Sequence, residues 1–211
     1  MPLLIATAYC PPARYMAALV NSGSVAVELH ETYPKQTCRN HCAIYGPNGL
    51  HTLTIPVIKP NGNRTITRDI RVSDHQPWQR IHWRSVCSAY SNSPFFLYYQ
   101  DELAPFYEKK VDFLVDFNTG MLEKIFRVLQ LDITIAESST YKKNPAGAPG
   151  LRDDLTAKHE DGTWAYPHYT QVFEPRHGFL PGLSILDILF NLGPETVDYL
   201  KRVQAGRQVS E

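Results

Sequence analysis

The stretch LLIATAYCPPARYMAALVNSGSVAVEL, residues 3–29, decides the fold. It begins with an apolar run typical of a short buried strand, passes through Pro11-Pro12 into residues with helical spacing, and ends in a second apolar run at residues 25–29. Because proline is favoured in the first turn of a helix, the proline pair marks the helix start. A strand, a helix and a strand in this order predict a βαβ unit and therefore an α/β fold.

Strand and helix signals continue beyond this unit to about residue 140, with no break typical of a linker. Gly-Pro-Asn-Gly at residues 46–49 lies between apolar runs and predicts a β-hairpin, because Asn-Gly favours positive φ angles. The apolar spacing also predicts helices over residues 78–89, 95–107 and 111–131, and a strand over 133–136. Residues 142–182 are so rich in proline and glycine that they predict a long functional loop region.

The end of the chain reads as helical. Ser184, three residues before Asp187, predicts a capping box at the start of a helix that Gly193 ends. Residues 204–211 are predicted to be a frayed tail, so residues 1–203 form a single domain. We expect a Rossmann-like mixed sheet with a β-hairpin insertion, flanking helices and a helical C-terminal part.

Composition excludes several classes of protein. The 211 residues include 21 Lys and Arg and 21 Asp and Glu, so the formal net charge is zero and nothing indicates binding to a nucleic acid duplex or an anionic membrane. No run reaches the roughly 18 apolar residues of a membrane span, and the start lacks the positive region of a signal peptide. We therefore expect a cytoplasmic protein.

The four cysteines are expected to be reduced and free of metal. Cys10, Cys38, Cys42 and Cys87 lie in the first half of a chain too large to need disulfides. Cys38-x-x-x-Cys42 has the spacing of half a zinc site, but no second pair of cysteines or histidines with ligand spacing completes it.

His82 is the candidate catalytic residue. An imidazole titrates near neutral pH and can act as a general base, and helical spacing places it beside Trp78 and Ser85. A core histidine satisfied by a hydrogen bond is the alternative. No Gly-x-Ser-x-Gly motif surrounds Ser85, so a Ser-His-Asp triad is not predicted.

A donor-rich segment lies between the second strand and the hairpin. Lys35, Arg39 and His41 bring cations and Asn40 brings an amide, a combination that suits a phosphate, a nucleotide or a carboxylate. An ordinary solvated charge cluster is the alternative.

Pro11-Pro12 before a helix, and Ser138-Ser139 after a strand, are faintly similar to the nucleotide-binding loops of α/β nucleotidylyltransferases of the tRNA-synthetase-like class. A helix N-terminus and a serine loop can both hold phosphate. The His-x-x-His or His-x-Gly-His motif of such enzymes is absent, as is Gly-x-x-x-x-Gly-Lys. Ser138 and Ser139 therefore remain candidate phosphate ligands without a completing motif.

Six islands of sequence stand out in order along almost the whole chain. They are Tyr9-Cys10-Pro11-Pro12 with Tyr15; Glu31-Thr32-Tyr33 with Lys35, Thr37, Arg39 and Asn40; Gly49 with Leu53-Thr54-Ile55-Pro56-Val57; Trp78 with His82-Trp83-Arg84-Ser85; Tyr90 with Ser93-Pro94-Phe95-Phe96 and Tyr99; and Gly178-Phe179 with the residues from Leu183 to Asn191. Together they resemble the WbqC-like family, and in particular its Bacteroidetes-type members. This family is found near genes for bacterial O-antigen and other surface polysaccharides. One departure is His41, where the family usually carries an arginine.

The resemblance implies an aminoacyl (glycine) transferase that acts on an amino sugar, with no mechanism and no known cofactor. It also strengthens the functional interpretation of His82 and of Arg39-Asn40, since each lies in one of the islands. The additional substrate-binding candidates are Trp78, Trp83, Ser85, Tyr90 and Asp187.

Two alternatives remain: a non-catalytic protein of the same pathway that binds a saccharide or a partner, and a nucleotidylyltransferase-like enzyme. We predict that Arg39, Asn40 and His82 meet around one pocket that also takes Lys35 and Asp187. Convergence of these residues favours the enzyme, whereas their dispersal around an open groove favours the binding protein.

Overall fold

A computed structural model describes residues 2–34, 37–141 and 164–205. The strands and helices follow the chain in the order β1 (Leu3–Ala6), α1 (Ala13–Val20), β2 (Ser24–Glu28), β3 (His41–Gly46), β4 (Gly49–Thr54), β5 (Val57–Ile58), β6 (Arg71–Val72), α2 (Trp78–Tyr90), α3 (Phe96–Leu103), α4 (Leu114–Val128), β7 (Thr134–Glu137), β8 (Trp164–Ala165), α5 (Glu174–His177), α6 (Ile185–Leu192), α7 (Thr196–Arg202) and β9 (Gln204–Ala205). Short 3₁₀ helices lie at Gly62–Arg64, Thr67–Asp69, Ala104–Tyr107 and Gly193–Glu195.

Among the described residues, β1, β2 and β7 form a parallel sheet in the order β1-β2-β7. Leu3 pairs with Val25, and Ser24 pairs with Thr134, so β2 is the central strand. Helix α1 connects β1 to β2, which confirms the predicted βαβ unit and the α/β class. All three strands end at the same edge of the sheet, so the residues that follow them lie near one another.

The antiparallel strands form separate two-stranded sheets, β3-β4, β5-β6 and β8-β9, rather than extending the parallel sheet into one mixed sheet. The predicted hairpin is present: Gly46 pairs with Gly49 across Pro47-Asn48, and Gly49 has a φ of 97°. The second strand of the hairpin begins at Gly49, because backbone pairing continues up to the turn.

The aromatic core centres on Phe117 of α4. Its ring contacts Tyr9, Trp78, Phe106 and Tyr107, with centroid distances from 5.3 to 6.2 Å and steep, edge-to-face angles. This geometry is the favourable one for aromatic pairs and adds about 0.5–1.5 kcal/mol per pair beyond burial. Phe117 thereby joins the end of β1 to α2 and to the 3₁₀ helix that follows α3.

The start of α6 differs from the predicted capping box. Ser184 is the N-cap residue, but its buried hydroxyl has no hydrogen-bond partner among the described residues. The Asp187 carboxylate instead turns into the core, where it accepts hydrogen bonds from the Tyr169 hydroxyl at 2.6 Å and from Gln171 Nε2 at 2.9 Å. Gly193 ends the helix as predicted, with a φ of 53°.

Part of the predicted loop region, residues 142–163, lies outside the described residues. The predicted frayed tail begins too early: β9, at Gln204–Ala205, pairs with β8, and this backbone pairing orders the first two residues of the tail. Residues 206–211 lie outside the described residues.

Within the described ranges, no helix has the length and apolar character that crossing a bilayer requires.

Gly193→Ala should destabilise the fold strongly. A Cβ atom built on Gly193 would lie 2.4 to 2.6 Å from the Phe95 ring, and its positive φ already disfavours other residues. We expect the free energy of unfolding to fall by about 2–4 kcal/mol, the combined cost of overpacking and backbone strain. Urea unfolding measures it.

Gly23→Ala is the matched control for this experiment. A Cβ at Gly23 meets nothing within 4 Å. This variant should keep its stability or gain slightly from a stiffer unfolded chain. Equal stability of the two variants would contradict the described packing at Gly193.

Candidate functional site

The carboxyl ends of β1, β2 and β7 meet at what we call the carboxyl edge, formed by residues 7–10, 28–30 and 138–139. Glu28 is fully buried there, and its Oε1 accepts hydrogen bonds from Ser138 Oγ at 3.0 Å and from the His30 backbone N–H at 2.8 Å. Ser138 thus ties β7 to β2, while Ser139 beside it is exposed. In open α/β sheets this edge is where ligands bind.

Arg39 lies buried in the segment that follows β2. Its Nε and Nη2 donate to Glu31 Oε1 at 2.9 and 2.5 Å, respectively. Asn118 Nδ2 donates to the Arg39 carbonyl at 2.8 Å and to Thr7 Oγ1 at 3.0 Å. These bonds fix Arg39 against the end of β1.

A second buried arginine, Arg14, lies in the first turn of α1, directly after the Pro11-Pro12 pair. Burial raises the pKa of the Cys38 thiol to about 11, while the positive charges of Arg14 and Arg39 oppose the rise. Because both guanidinium groups act on the same thiol, they lie in one neighbourhood. This region therefore holds two buried guanidinium groups, of which that of Arg39 is paired with Glu31.

Two polar atoms near Arg39 lack a hydrogen-bond partner among the described residues. They are the Tyr33 hydroxyl and the Asn118 Oδ1, both buried. Burial raises the pKa of Tyr33, and the Arg39 charge lowers it in part, which places the ring close to the guanidinium. Buried polar groups without partners cost about 1–3 kcal/mol each, so such groups point to a partner that arrives from outside.

Tyr9 joins this charged region to His82. Its backbone N–H donates to the Cys38 carbonyl at 2.8 Å, and its hydroxyl lies 3.0 Å from His82 Nδ1 and 3.0 Å from the Tyr107 hydroxyl. The next residue, Cys10, has a φ of 40°, which is unusual for a residue other than glycine. Tyr9 therefore holds the strained backbone at Cys10 in place, through its own backbone on one side and through its hydroxyl on the other.

His82 is buried and neutral. Burial is the main reason that its pKa falls to about 4; a hydrogen bond to the Thr54 carbonyl opposes this fall, and the nearby charge of His51 adds to it. Since Tyr9 occupies Nδ1, we assign the Thr54 hydrogen bond to Nε2–H, so both ring nitrogens have partners. The edge of the Trp78 ring also packs on the imidazole, at a centroid distance of 5.2 Å.

Asn40 is buried, and its side chain forms a hydrogen bond with the backbone of a distant residue. Its Nδ2 donates to the Ile55 carbonyl at 2.9 Å, and the Ile55 N–H donates to the Asn40 carbonyl at 2.9 Å. His82 reaches the adjacent residue Thr54, so the two predicted site residues share one stretch of chain. Lys35 lies outside the described residues.

Asp187 belongs to a different cluster, between α6 and residues 169–180. Its partners are Tyr169 and Gln171, and burial raises its pKa while these hydrogen bonds oppose the rise. Tyr90 lies beside this cluster, where Asp187 helps to raise the pKa of the buried phenol. Gln171 also exchanges two hydrogen bonds with the Leu180 backbone, so Asp187 anchors this segment onto α6.

The remaining candidates lie on α2. Trp83 stacks on Phe96 and Tyr107 and is only partly buried. Ser85 donates to the Ile81 carbonyl at 3.0 Å, and it lines a cavity of about 410 Å³ beside the hairpin turn. The structure thus links Arg39, Asn40 and His82 through shared neighbours but places Asp187 elsewhere.

The cysteines are free thiols, and within the described ranges no group of three or more potential ligands could hold a metal ion. Cys10, Cys38 and Cys42 line a small cavity of about 40 Å³ with His41.

Sequence reasoning missed four residues of this region as site residues: Tyr9, Arg14, Glu28 and Glu31. Tyr9 and Glu28 lie at or just beyond a strand end, and Arg14 lies in the first turn after β1. Once a βαβ unit is predicted, its carboxyl edge is the place to look for ligands, and this rule would have found three of the four.

Stability should depend on pH through His82. The folded protein keeps this ring neutral down to about pH 4, whereas in the unfolded chain it takes up a proton near pH 6.5. The contribution of neutral His82 to the free energy of unfolding is therefore complete above pH 6.5. It is lost as the pH falls toward 4, and this loss reaches up to about 3 kcal/mol.

His82→Gln removes this titration and serves as the comparison. Urea unfolding between about pH 7 and pH 5 should show that the difference in unfolding free energy between wild type and variant shrinks as the pH falls. A difference that stays constant would show that His82 titrates normally in the folded protein.

Comparison with known proteins gives the family. A model of the WbqC-like protein family matches residues 7–159 and 158–199. A Mycobacterium tuberculosis (strain ATCC 25618 / H37Rv) protein named Uncharacterized protein Rv1507c is 29% identical over 198 residues, which cover 80% of this chain and 84% of the relative. No solved structure matches the chain. Since the family model spans most of its length, the chain belongs to the WbqC-like protein family.

Proposed function

We propose that this protein is a cytoplasmic transferase of surface-polysaccharide synthesis, which moves an aminoacyl group, glycyl by family resemblance, from an anionic donor to the amino group of a sugar. One observation carries the proposal. Arg14 and Arg39 are buried together around Cys38, next to the carboxyl edge of a parallel sheet.

The chemistry of this region suits an anionic donor. Arginine presents a planar fork of donors that matches a phosphate or carboxylate, and its attraction for an anion strengthens away from water. Glu31 orients the Arg39 fork. The Tyr33 hydroxyl and the Asn118 Oδ1 offer a donor and an acceptor beside it, with no partners among the described residues.

The proposed reaction forms one bond and breaks one. The sugar amine attacks the carbonyl carbon of the activated aminoacyl group, forming an amide, and the bond from that carbon to the donor oxygen breaks. The amine gives up a proton to water, and the departing oxygen leaves as an anion. Arginine side chains held in a water-poor site stabilise such an anion as it develops.

His82 enters this proposal as a positioning residue. A direct role as base requires an unoccupied nitrogen, whereas both ring nitrogens have partners and the ring is buried. Its contact with the Tyr9 hydroxyl instead fixes the Tyr9 backbone, which bonds to Cys38 between the two arginines. We therefore place its effect in the shape of the donor site.

Arg14→Lys should weaken donor binding while the protein stays folded. Lysine keeps the charge but loses the planar fork, so we expect roughly tenfold weaker binding of glycyl sulfamoyl adenosine, whose ionised acyl sulfamate mimics the anionic phosphate of an activated glycyl donor. Isothermal titration calorimetry measures the affinity. Arg80→Lys, on the exposed face of α2, is the matched control and should bind as wild type does.

Product formation tests the reaction itself. The full chain is incubated with a nucleotide sugar that bears a free amine, and with either glycine and ATP or glycyl-tRNA, and the sugar is weighed by mass spectrometry. A sugar heavier by one glycyl residue supports the transferase. A bound but unchanged sugar supports the binding protein, release of pyrophosphate without glycyl transfer supports the nucleotidylyltransferase, and either outcome overturns the proposal.

A further inference from the structure

A concave site lies beside the aromatic core, whose Phe106 and Phe117 form part of its lining. It is a cleft of about 690 Å³ between α3 and its following 3₁₀ helix, residues 109–113, and α4. Phe106, Phe113 and Phe117 supply its apolar wall and floor. The volume falls within the range of about 300–1,000 Å³ that small-molecule sites occupy.

The charged groups around the cleft leave an excess of negative charge. Lys124 pairs with Glu102 at 2.7 Å, and Lys110 pairs with Asp74, outside the lining, at 2.5 Å. The lining also contains Asp101, Asp112 and Asp116, against a single further cation, Lys109. Once the two ion pairs are set aside, and with Arg71 beside Phe113 included, three carboxylates still face only two cations, Lys109 and Arg71, among the described residues.

The aromatic rings add a second and separate preference for cations. The face of an aromatic ring carries negative charge density and attracts ammonium and guanidinium groups. Phe113 already shows this, because the Arg71 guanidinium carbon lies 5.2 Å from its ring centroid. Rings and carboxylates thus favour the same kind of ligand.

The cleft is also held open by fixed structure. Gln79 Nε2 donates to the Phe106 carbonyl at 3.0 Å and to the Lys109 carbonyl at 2.5 Å, which anchors one wall to α2. Gly120, inside α4, lets the Phe106 ring approach the helix closely, since a Cβ there would meet the ring at 3.3 Å. A glycine within a helix lowers the stability of the helix by about 1 kcal/mol relative to alanine. The close approach of Phe106 to α4 therefore comes with a loss of helix stability.

We propose that this cleft binds a small organic cation, namely a positively charged amine carried on a ring that packs against the phenylalanines. The proposal does not depend on the donor site at the carboxyl edge. The amine contacts the carboxylates of Asp101, Asp112 and Asp116, and the ring packs against the partly exposed Phe106 and Phe113.

Three probes with the same ring test the charge preference: tyramine, the neutral alcohol tyrosol, and the anionic 4-hydroxyphenylacetate. Titration of the nitrogen-15-labelled protein, followed by NMR, gives the affinity and the residues that respond. We expect shifts at residues 101–117, tyramine binding at least about fivefold tighter than tyrosol, and the anion weakest.

Asp101→Asn combined with Asp116→Asn should remove most of the preference for tyramine over tyrosol, because both changes delete charge from exposed positions without disturbing the core. Asp132→Asn, exposed and away from the lining, is the matched control and should keep the preference. Equal binding of the three probes, tightest binding of the anion, or no response at residues 101–117 would each overturn the proposal. None of these outcomes bears on the binding of glycyl sulfamoyl adenosine.

Discussion

A buried guanidinium needs a fixed partner, and the pairing of Arg39 with Glu31 meets this need at the point where β1 and β2 end. An unpaired charge in the interior is so costly that the segment carrying Arg39 has little freedom once the chain folds. Asn118 and the Tyr9 backbone then tie the same segment to α4 and to the end of β1. A second arginine, Arg14, is buried in the same neighbourhood, where its charge acts on the Cys38 thiol together with that of Arg39.

The aromatic core connects this region to the rest of the molecule. Tyr9 contacts His82 on one side and Phe117 on another, and Phe117 forms part of the cleft. The two candidate sites differ in their charged groups: the first holds two buried arginines beside Glu28 and Glu31, whereas the lining of the second contains more carboxylates than lysines.

Sequence patterns predicted the local structure well, because short-range periodicity and turn chemistry determine it. The βαβ unit, the hairpin with Gly49 and the end of α6 at Gly193 all follow from such signals. The capping box failed, since Asp187 makes stronger contacts with distant residues than a local cap provides. Similarly, spacing placed His82 correctly on a helix but gave no indication that Tyr9 and Thr54 would occupy its ring nitrogens. Contacts between residues far apart in sequence are set by the packing of whole elements, which a pattern in one chain does not encode.

The central claim, that the anionic substrate binds at the carboxyl edge, is tested most directly by hydrogen–deuterium exchange with and without glycyl sulfamoyl adenosine. The account predicts slower exchange on binding in the peptides that cover residues 7–15, 28–33 and 37–40, with no change at residues 101–113. Protection confined to the hairpin at residues 41–54, or exchange that stays unchanged at the carboxyl edge while the compound is bound, would contradict it.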